Sequence, residues 1–410
     1  MPTPLLRAAA LAAAVLLPPV AAAAPLTLET ALDLAVQRSE SAGSARAGVA
    51  SASESARAAG QLPDPMLRAG IDNLPVTGAD RFSTARDSMT MKRVGIAQEW
   101  PSAEKRAARQ AAADAMLGRE SAALRVALAD TRLQTAFAYL DACYAAEALR
   151  LATLMEHHAH EELEASRARL SSSTGSSQDV LALTGARGVA EDESAEMLQQ
   201  LSGARLALRR WIGVEPDELA PPALAAVPSE QDFVQAHPAV ALLQRDVDVA
   251  KQSAAVASSE RKPDWTWELS YGQRSGYSDM VSFGVSIPLQ VARGQRQDRE
   301  AAAKLALVDK AEAGLAEAMR SATAEYQSLG NDAQRLRERI ERYRSGVVAP
   351  AAQRTAAAMA AYRSNQASLM SLFEARHAEV EVQRKLLALQ RDLARTQATL
   401  AFKPIEGAAR

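Results

Sequence analysis

Over residues 294–362 the chain places apolar side chains at Leu315, Met319, Ala322, Tyr326, Leu329, Ala333, Leu336, Ile340, Tyr343 and Val347, spaced alternately by four and three. A period held that long keeps one seam facing a partner helix and predicts a left-handed supercoil. Charged residues such as Arg335, Arg337, Glu338, Arg339, Glu341 and Arg342 take the remaining surface. At about 1.5 Å per residue the rod is on the order of 100 Å long, which suits spanning a distance better than enclosing a reaction. Pro350 lacks a backbone donor, so a bend is predicted near residues 346–350.

Elsewhere helical and two-fold periods take turns. Residues 28–60 read as helix, with Thr27 as N-cap and Glu29 in the first turn, until Pro63 and Pro65 stop it. Residues 66–72 set Leu67, Ala69 and Ile71 against Arg68, Gly70 and Asp72, the pattern of a strand. After a loop at 73–88, residues 90–100 alternate again, with Val94, Ile96 and Trp100 opposite Arg93, Gly95 and Glu99. A long helix over 102–170 turns at serine-rich 171–177 and returns over 178–212. Gly213 and four prolines from Pro216 to Pro228 make a stiff linker, 213–230. The order then begins again: helix 231–261, a Lys262-Pro263-Asp264 corner matching Leu62-Pro63-Asp64, strands at 265–271 and 281–287, the rod, a turn at 364–366 and a return helix to Phe402. The expected fold is mainly α with a small β part, in two structural repeats, 25–212 and 231–403, with a tail at 404–410.

Composition refines this picture in a few places. Aromatic residues are 4% of the chain and alanine is abundant, so the helices are expected to pack closely through small side chains. A formal net charge of −2 leaves no electrostatic footprint for nucleic acid. Cys143 is the single cysteine and reads as a small buried hydrophobe within a helix. Arg7, an apolar run over 8–17 and small residues at 21–24 give the pattern of a cleaved signal peptide, 1–24, whose apolar run is too short to span a bilayer. No cysteine follows the expected cleavage point, so the exported chain is expected to carry no lipid anchor.

Four strands are too few to close a barrel, since the smallest closed ones have about eight, and left open they present pairing edges. A small sheet half-buried against the helices meets that pattern. Strands pooled between subunits in a membrane meet it too, and the rods favour them, because long helices below a shared barrel continue the tube. In this order of elements, over essentially the whole mature chain, the sequence resembles the TolC-like outer-membrane efflux family. The Leu62-Pro63-Asp64-Pro65 corner and the stretch from Met89-Thr90-Met91 to Val94-Gly95-Ile96-Ala97-Gln98-Glu99 resemble most the branch serving heavy-metal pumps. Many relatives in that branch carry a lipidated N-terminal cysteine that this chain lacks. The resemblance implies a homotrimer with a 12-stranded outer-membrane barrel, four strands from each subunit, continued by helical hairpins into the periplasm. It implies outer-membrane lipid around the strands, a periplasmic adaptor (membrane fusion) protein and an inner-membrane RND-type efflux pump as partners, and no cofactor. The expected function is an exit duct for heavy-metal cations. The rivals are a duct of the same fold for drugs or secreted polypeptides, and a soluble periplasmic coiled-coil adaptor, which would need many more strands.

In that family the hairpin tips close the duct. The resemblance carries this role to Tyr362, Arg363, Ser371 and Glu374 in the second repeat and to Asp179 in the first, with Asn365 where a turn glycine is common. Only one of Ser371 and Glu374 is acidic, and three copies of Glu374 around an axis would favour cations. Plain helix capping accounts for Asp179 as well. Trp100, Trp265, Trp267 and Tyr271 lie in strands or at their ends, as an interfacial aromatic girdle requires. His157, His160 and Glu161 share a helix face and offer imidazole and carboxylate to a divalent metal, although a solvated face accounts for them better. Met89 and Met91 share one strand face, where packing or lipid contact explains them better than a soft-metal site. No nucleophile elbow, phosphate loop or dinucleotide fingerprint occurs, and the chain reads as a non-enzyme.

Overall fold

The computed structural model describes residues 25–216 and 218–405, so the expected signal peptide lies outside the described residues. Helices α1 (Leu28–Arg38) and α2 (Glu40–Ala59) lead into strands β1 (Met66–Asp72) and β2 (Met91–Trp100), then the rod α3 (Ala103–Ser171) and its return α4 (Ser177–Ile212). After the linker come α5 (Glu230–Gln235), α6 (Pro238–Ser259), β3 (Trp265–Gln273), β4 (Met280–Ser286), α7 (Gln297–Tyr343), α8 (Ala349–Arg363) and the return helix α9 (Leu369–Phe402). Among the described residues no helix is long and apolar enough to cross a membrane.

Two helices expected to be continuous are broken. Ser39 leaves helical geometry at ψ 110°, and its hydroxyl accepts from the Ala42 N–H and bonds the Thr131 hydroxyl at 2.9 Å. Helix α2 therefore starts with its own cap inside what reads as one helix. In the second half Pro238 pushes the residue before it out of the α region. His237 sits at ψ 132°, and its ring Nδ1 accepts from the Ala239 N–H. The sequence signal for this second break was the proline itself.

Between α7 and α8 lies a π-turn, Arg344–Val348, at the place where Pro350 predicts a bend. Dihedral angles are helical at both of its ends, and the Ala349 N–H reaches back five residues to the Arg344 carbonyl. Widening one turn accommodates the missing proline donor without ending the rod. Of the predicted seam, Ala322, Ala333 and Ile340 are buried, while Met319 and Val347 stay exposed.

The helices form a layer. Towards the hairpin tips α4 lies against α3, α3 against α9, and α9 against α8, which leaves α4 and α8 at opposite margins. Nearer the strands the order is α2, α3, α6, α7. One core, at mid-length, joins Leu32 of α1, Tyr139 and Leu140 of α3, Leu208 of α4 and Ala398 of α9. There the Tyr139 hydroxyl lies 2.7 Å from the carbonyls of both Leu26 and Ala220, tying the chain start to the linker. Cys143 is half-buried beside it, and burial pushes its thiol up to about 12. A second core near the tips joins Met155 and Leu163 of α3, Leu183 of α4 and Phe373 of α9. Beyond α9, Ile405 is buried and its N–H donates to the Ala236 carbonyl.

Where rods meet strands, Lys105 is almost fully buried, with Nζ 2.8 Å from carboxylates of both Glu260 and Asp264. This three-residue cluster holds the corner before β3 to the start of α3. Such a buried cation is tolerated because two carboxylates surround it.

Candidate functional site

The four strands make one antiparallel sheet in the order β1-β2-β3-β4. The register aligns Leu67, Ile96, Leu269 and Phe283 across it, and the next row up aligns Ala69, Val94, Tyr271 and Val281. Successive side chains point to opposite faces, so these rows share one face. The rows alternating with them, Arg68-Gly95-Ser270-Ser282 and Met66-Ala97-Glu268-Gly284, share the other. One face is thus aliphatic and aromatic, and the other is made of small and charged residues. Arg68 pairs with Glu268 at 2.6 Å and Arg93 with Asp72 at 3.1 Å on this polar face.

The apolar face is not covered by the rest of the chain, whereas Gly95, Ala97 and Ser270 on the polar face are buried. Leu67 is 75% exposed and Phe283 71%. An apolar face of this extent, uncovered in a folded chain, marks a surface made for something other than water. Gly95 is required on the polar face, where an added Cβ would stand 2.6 Å from the Ser270 side chain and 2.9 Å from the Leu269 carbonyl. At the end nearest the helices Trp100 and Trp265 face each other directly in the register, both half-exposed on the apolar face. Trp267 is half-buried one step further in, and Tyr271 lies towards the far end, its hydroxyl bonded to the Asp279 carboxylate. All four predicted aromatics therefore share the apolar face. β2 and β3, of ten and nine residues, match the ~9–11 residues a tilted strand needs to span a bilayer.

At the other extreme the two hairpin turns are built alike. Ser173 (φ 61°) and Asn365 (φ 63°) each take the left-handed conformation, and the following N–H bonds back to Arg169 and Ala361 respectively. This is the Schellman helix ending. Ser176 and Ser368 then cap the return helices, so the capping role belongs to Ser176 and leaves Asp179 in the first turn behind it. Tyr362 ends α8 with the Arg169 guanidinium 5.8 Å above its ring, which links the two tips. Arg363 is exposed. Ser371 is committed to Ser368, its hydroxyl donating to the Ser368 carbonyl at 2.8 Å, whereas Glu374, one turn on, is exposed and in no ion pair among the described residues.

Above the tips a feature absent from the predicted residues joins the hairpins. Glu162 of α3 is 3% exposed within the apolar core and accepts from Arg376 of α9 at 2.8 Å. Its second oxygen is buried with no hydrogen bond. Burial pushes this carboxyl up to about 7, against the opposing pull of Arg376. The sequence signal was a charge in a seam: Met155, Ala159, Glu162 and Ser166 keep the spacing of the buried positions around it.

Of His157, His160 and Glu161, the structure brings together His157 and Glu161. Glu161 is approached by His157 at 3.3 Å and by His158 at 3.2 Å, and His160 takes no part. The His158 hydrogen bond and the His157 charge hold the Glu161 carboxyl below the usual range. Among the described residues no group of three or more His, Cys, Asp or Glu is placed to hold a metal ion. The side chains fan out on a solvated helix face, where i,i+3 and i,i+4 pairs form in preference to a three-way site.

No protein-family model matches the chain, and no curated protein matches its sequence. Solved structures do match. The outer membrane protein VceC from Vibrio cholerae is 19% identical, with 92% of this chain and 96% of that one covered at a TM-score of 0.74. CusC, whose structures follow folding and transmembrane channel formation, is 14% identical, with 92% of each chain covered and a TM-score of 0.75. The open state of the MtrE outer membrane channel from Neisseria gonorrhoeae is 16% identical over 92% and 88%, at 0.74.

Proposed function

We propose that this chain, which has the fold of TolC-like outer-membrane channels, is the outer-membrane exit duct of a tripartite efflux system. The observation that carries this reading is the sheet: a two-faced, four-stranded surface with its apolar face bare and both edge strands, β1 and β4, unpaired. Backbone groups inside a bilayer must all be bonded, so an open sheet becomes stable there only when its edges are closed. Three copies close it as a 12-stranded barrel, with the aliphatic rows towards outer-membrane lipid and the rows of Gly, Ser, Arg and Glu towards a wet lumen. Because the first-half elements β1 and α4 and the second-half elements β4 and α8 lie at opposite margins, a head-to-tail ring joins strands and helices in one operation. The two halves are an internal duplication, and the helical hairpins continue the barrel into the periplasm. A periplasmic adaptor and an inner-membrane RND-type pump supply the cargo from below. A cleaved signal peptide exports the chain, which is held in the membrane by its barrel rather than by lipid.

The cargo we assign is heavy-metal cations, on the resemblance of the residue 62–65 corner and the 89–99 stretch to that branch. Host cells lacking the chain should become sensitive to heavy-metal cations and recover with the wild-type gene. Sensitivity to drugs alone would move the cargo to the rival class while keeping the duct. The soluble-adaptor rival is disfavoured by the bare apolar face, which a soluble sheet would bury.

A further inference from the structure

The methionines of the sheet all lie on one face, and it is the polar one. Met66 shares the row of Glu268, Met280 that of Arg93 and Met91 that of Asp72. Every other strand residue of this face is Gly, Ala, Ser, Thr or charged. The apolar face, where lipid would receive a thioether freely, carries none. Met66 is 51% exposed and Met280 46%, so neither is filling a gap in a packed core, the ordinary use of methionine.

Two of the three converge at the end of the sheet away from the helices. A Cβ added at Gly272 would stand 2.9 Å from the Met91 Sδ and 3.6 Å from its Cγ. The glycine is therefore what lets the Met91 thioether lie across β3. Met280 is the direct partner of Gly272 on the other side, and side chains of paired residues start about 5 Å apart at Cβ. With three rotatable bonds, the Met280 sulfur can reach the space beside Met91 Sδ. The charges of these rows, Arg93 and Asp72, are paired with each other at 3.1 Å. What this spot offers a cation is sulfur rather than free carboxylate, and thioether sulfur selects soft ions such as Cu(I).

We propose that Met91 and Met280 form a two-thioether site, facing the lumen, for a soft monovalent cation, Cu(I) or Ag(I), passing out through the duct. The proposal rests on the duct reading, which turns this face to the lumen, and it narrows the cargo from heavy-metal cations at large to thiophilic ones. A thioether is a neutral donor with no proton to lose, so it holds a soft cation weakly and lets it go, as a conducting path requires. Met66, at the helix end of the same face, lies on the same route.

The probe is Ag(I), with the full chain carrying Cys143→Ser folded in detergent and chloride left out. Titration calorimetry should count one Ag(I) fewer per chain in Met91→Leu/Met280→Leu than in its parent. Met280→Leu alone, at an exposed position, should weaken that site about tenfold. Leucine keeps the bulk without the sulfur, and heat-modifiable gel mobility verifies folding. Met89→Leu, outside the strand, should change nothing, and binding at the pair should be equal at pH 5 and pH 8, which carboxylate or imidazole ligands would not give. A folded double variant that binds as much Ag(I) as its parent, or a pair that takes Zn(II) in preference to Ag(I), would overturn the site and leave the duct standing. Wild-type protein that forms no conducting pore would instead remove the duct, and with it the lumen this pair is proposed to face.

Discussion

Glu162 carries a carboxylate into the apolar contact between the two hairpins, with one oxygen held by Arg376 and the other unpartnered. Its folded-state value of about 7 stands above that of an ordinary carboxylate, so the folded chain binds this proton more tightly than the unfolded one. The group therefore favours the folded state most below the ordinary carboxylate range, and that contribution is lost as pH rises through about 7. Burial of His237 works the other way by lowering its value, so the comparison must be with Glu162→Gln. The thermal midpoint of the wild type relative to Glu162→Gln should fall between pH 5 and pH 8, by an amount on the order of 2–3 kcal/mol in stability. Equal pH dependence in the two proteins would contradict this account. Glu374 makes the other residue-scale prediction. Exposed near the tip, it should set cation preference, and Glu374→Gln should move the reversal potential in a salt gradient towards zero, whereas an unmoved potential would exclude it from the aperture. The charge at Glu162 was legible as an intruder in a seam. Its partner was not, because Arg376 is 214 positions away and nothing local encodes which helix passes there.

At the scale of elements the sheet makes adjacent residues behave oppositely. Phe283 lies in an aliphatic row and Ser282 in a polar one. Phe283→Arg should reduce folding into lipid vesicles by an amount corresponding to ~2–4 kcal/mol, the cost of a cation on the lipid face near the midplane. Ser282→Arg should fold normally and lower conductance. Heat-modifiable gel mobility measures the first and bilayer recording the second, and equal effects of the two would refute the assignment of faces. Strand alternation and the heptad seam announced these elements within a few residues, because one-face burial imposes its period directly on sequence. The breaks were harder. Ser39 ends α1 through a hydroxyl shared with Thr131 of another helix, a tertiary contact that no local pattern contains. Pro350 was visible, but that the chain would answer it with a π-turn was not, because how the freed carbonyl is taken up depends on the packing around it.

For the whole molecule, the order of strands, helices and turns was readable because each element repeats its signal in the second half, at the Lys262-Pro263-Asp264 corner above all. The lateral order of the helices was not, since seam residues specify that a helix has a partner without naming it. That order leaves β1 and α4 on one margin and β4 and α8 on the other, the arrangement on which the proposed ring rests. In the proposed duct the bare apolar face and the unpaired edges are resolved together, by closure within a bilayer around a wet lumen. Single-channel recording of the purified protein in planar lipid bilayers, with divalent cation added to one side, tests this most directly. Discrete, cation-selective openings that the divalent ion reduces are the result expected of a shared barrel narrowing to Glu374. A folded protein that stays in solution without detergent and never inserts would contradict it, and the sheet would then have to be a soluble one.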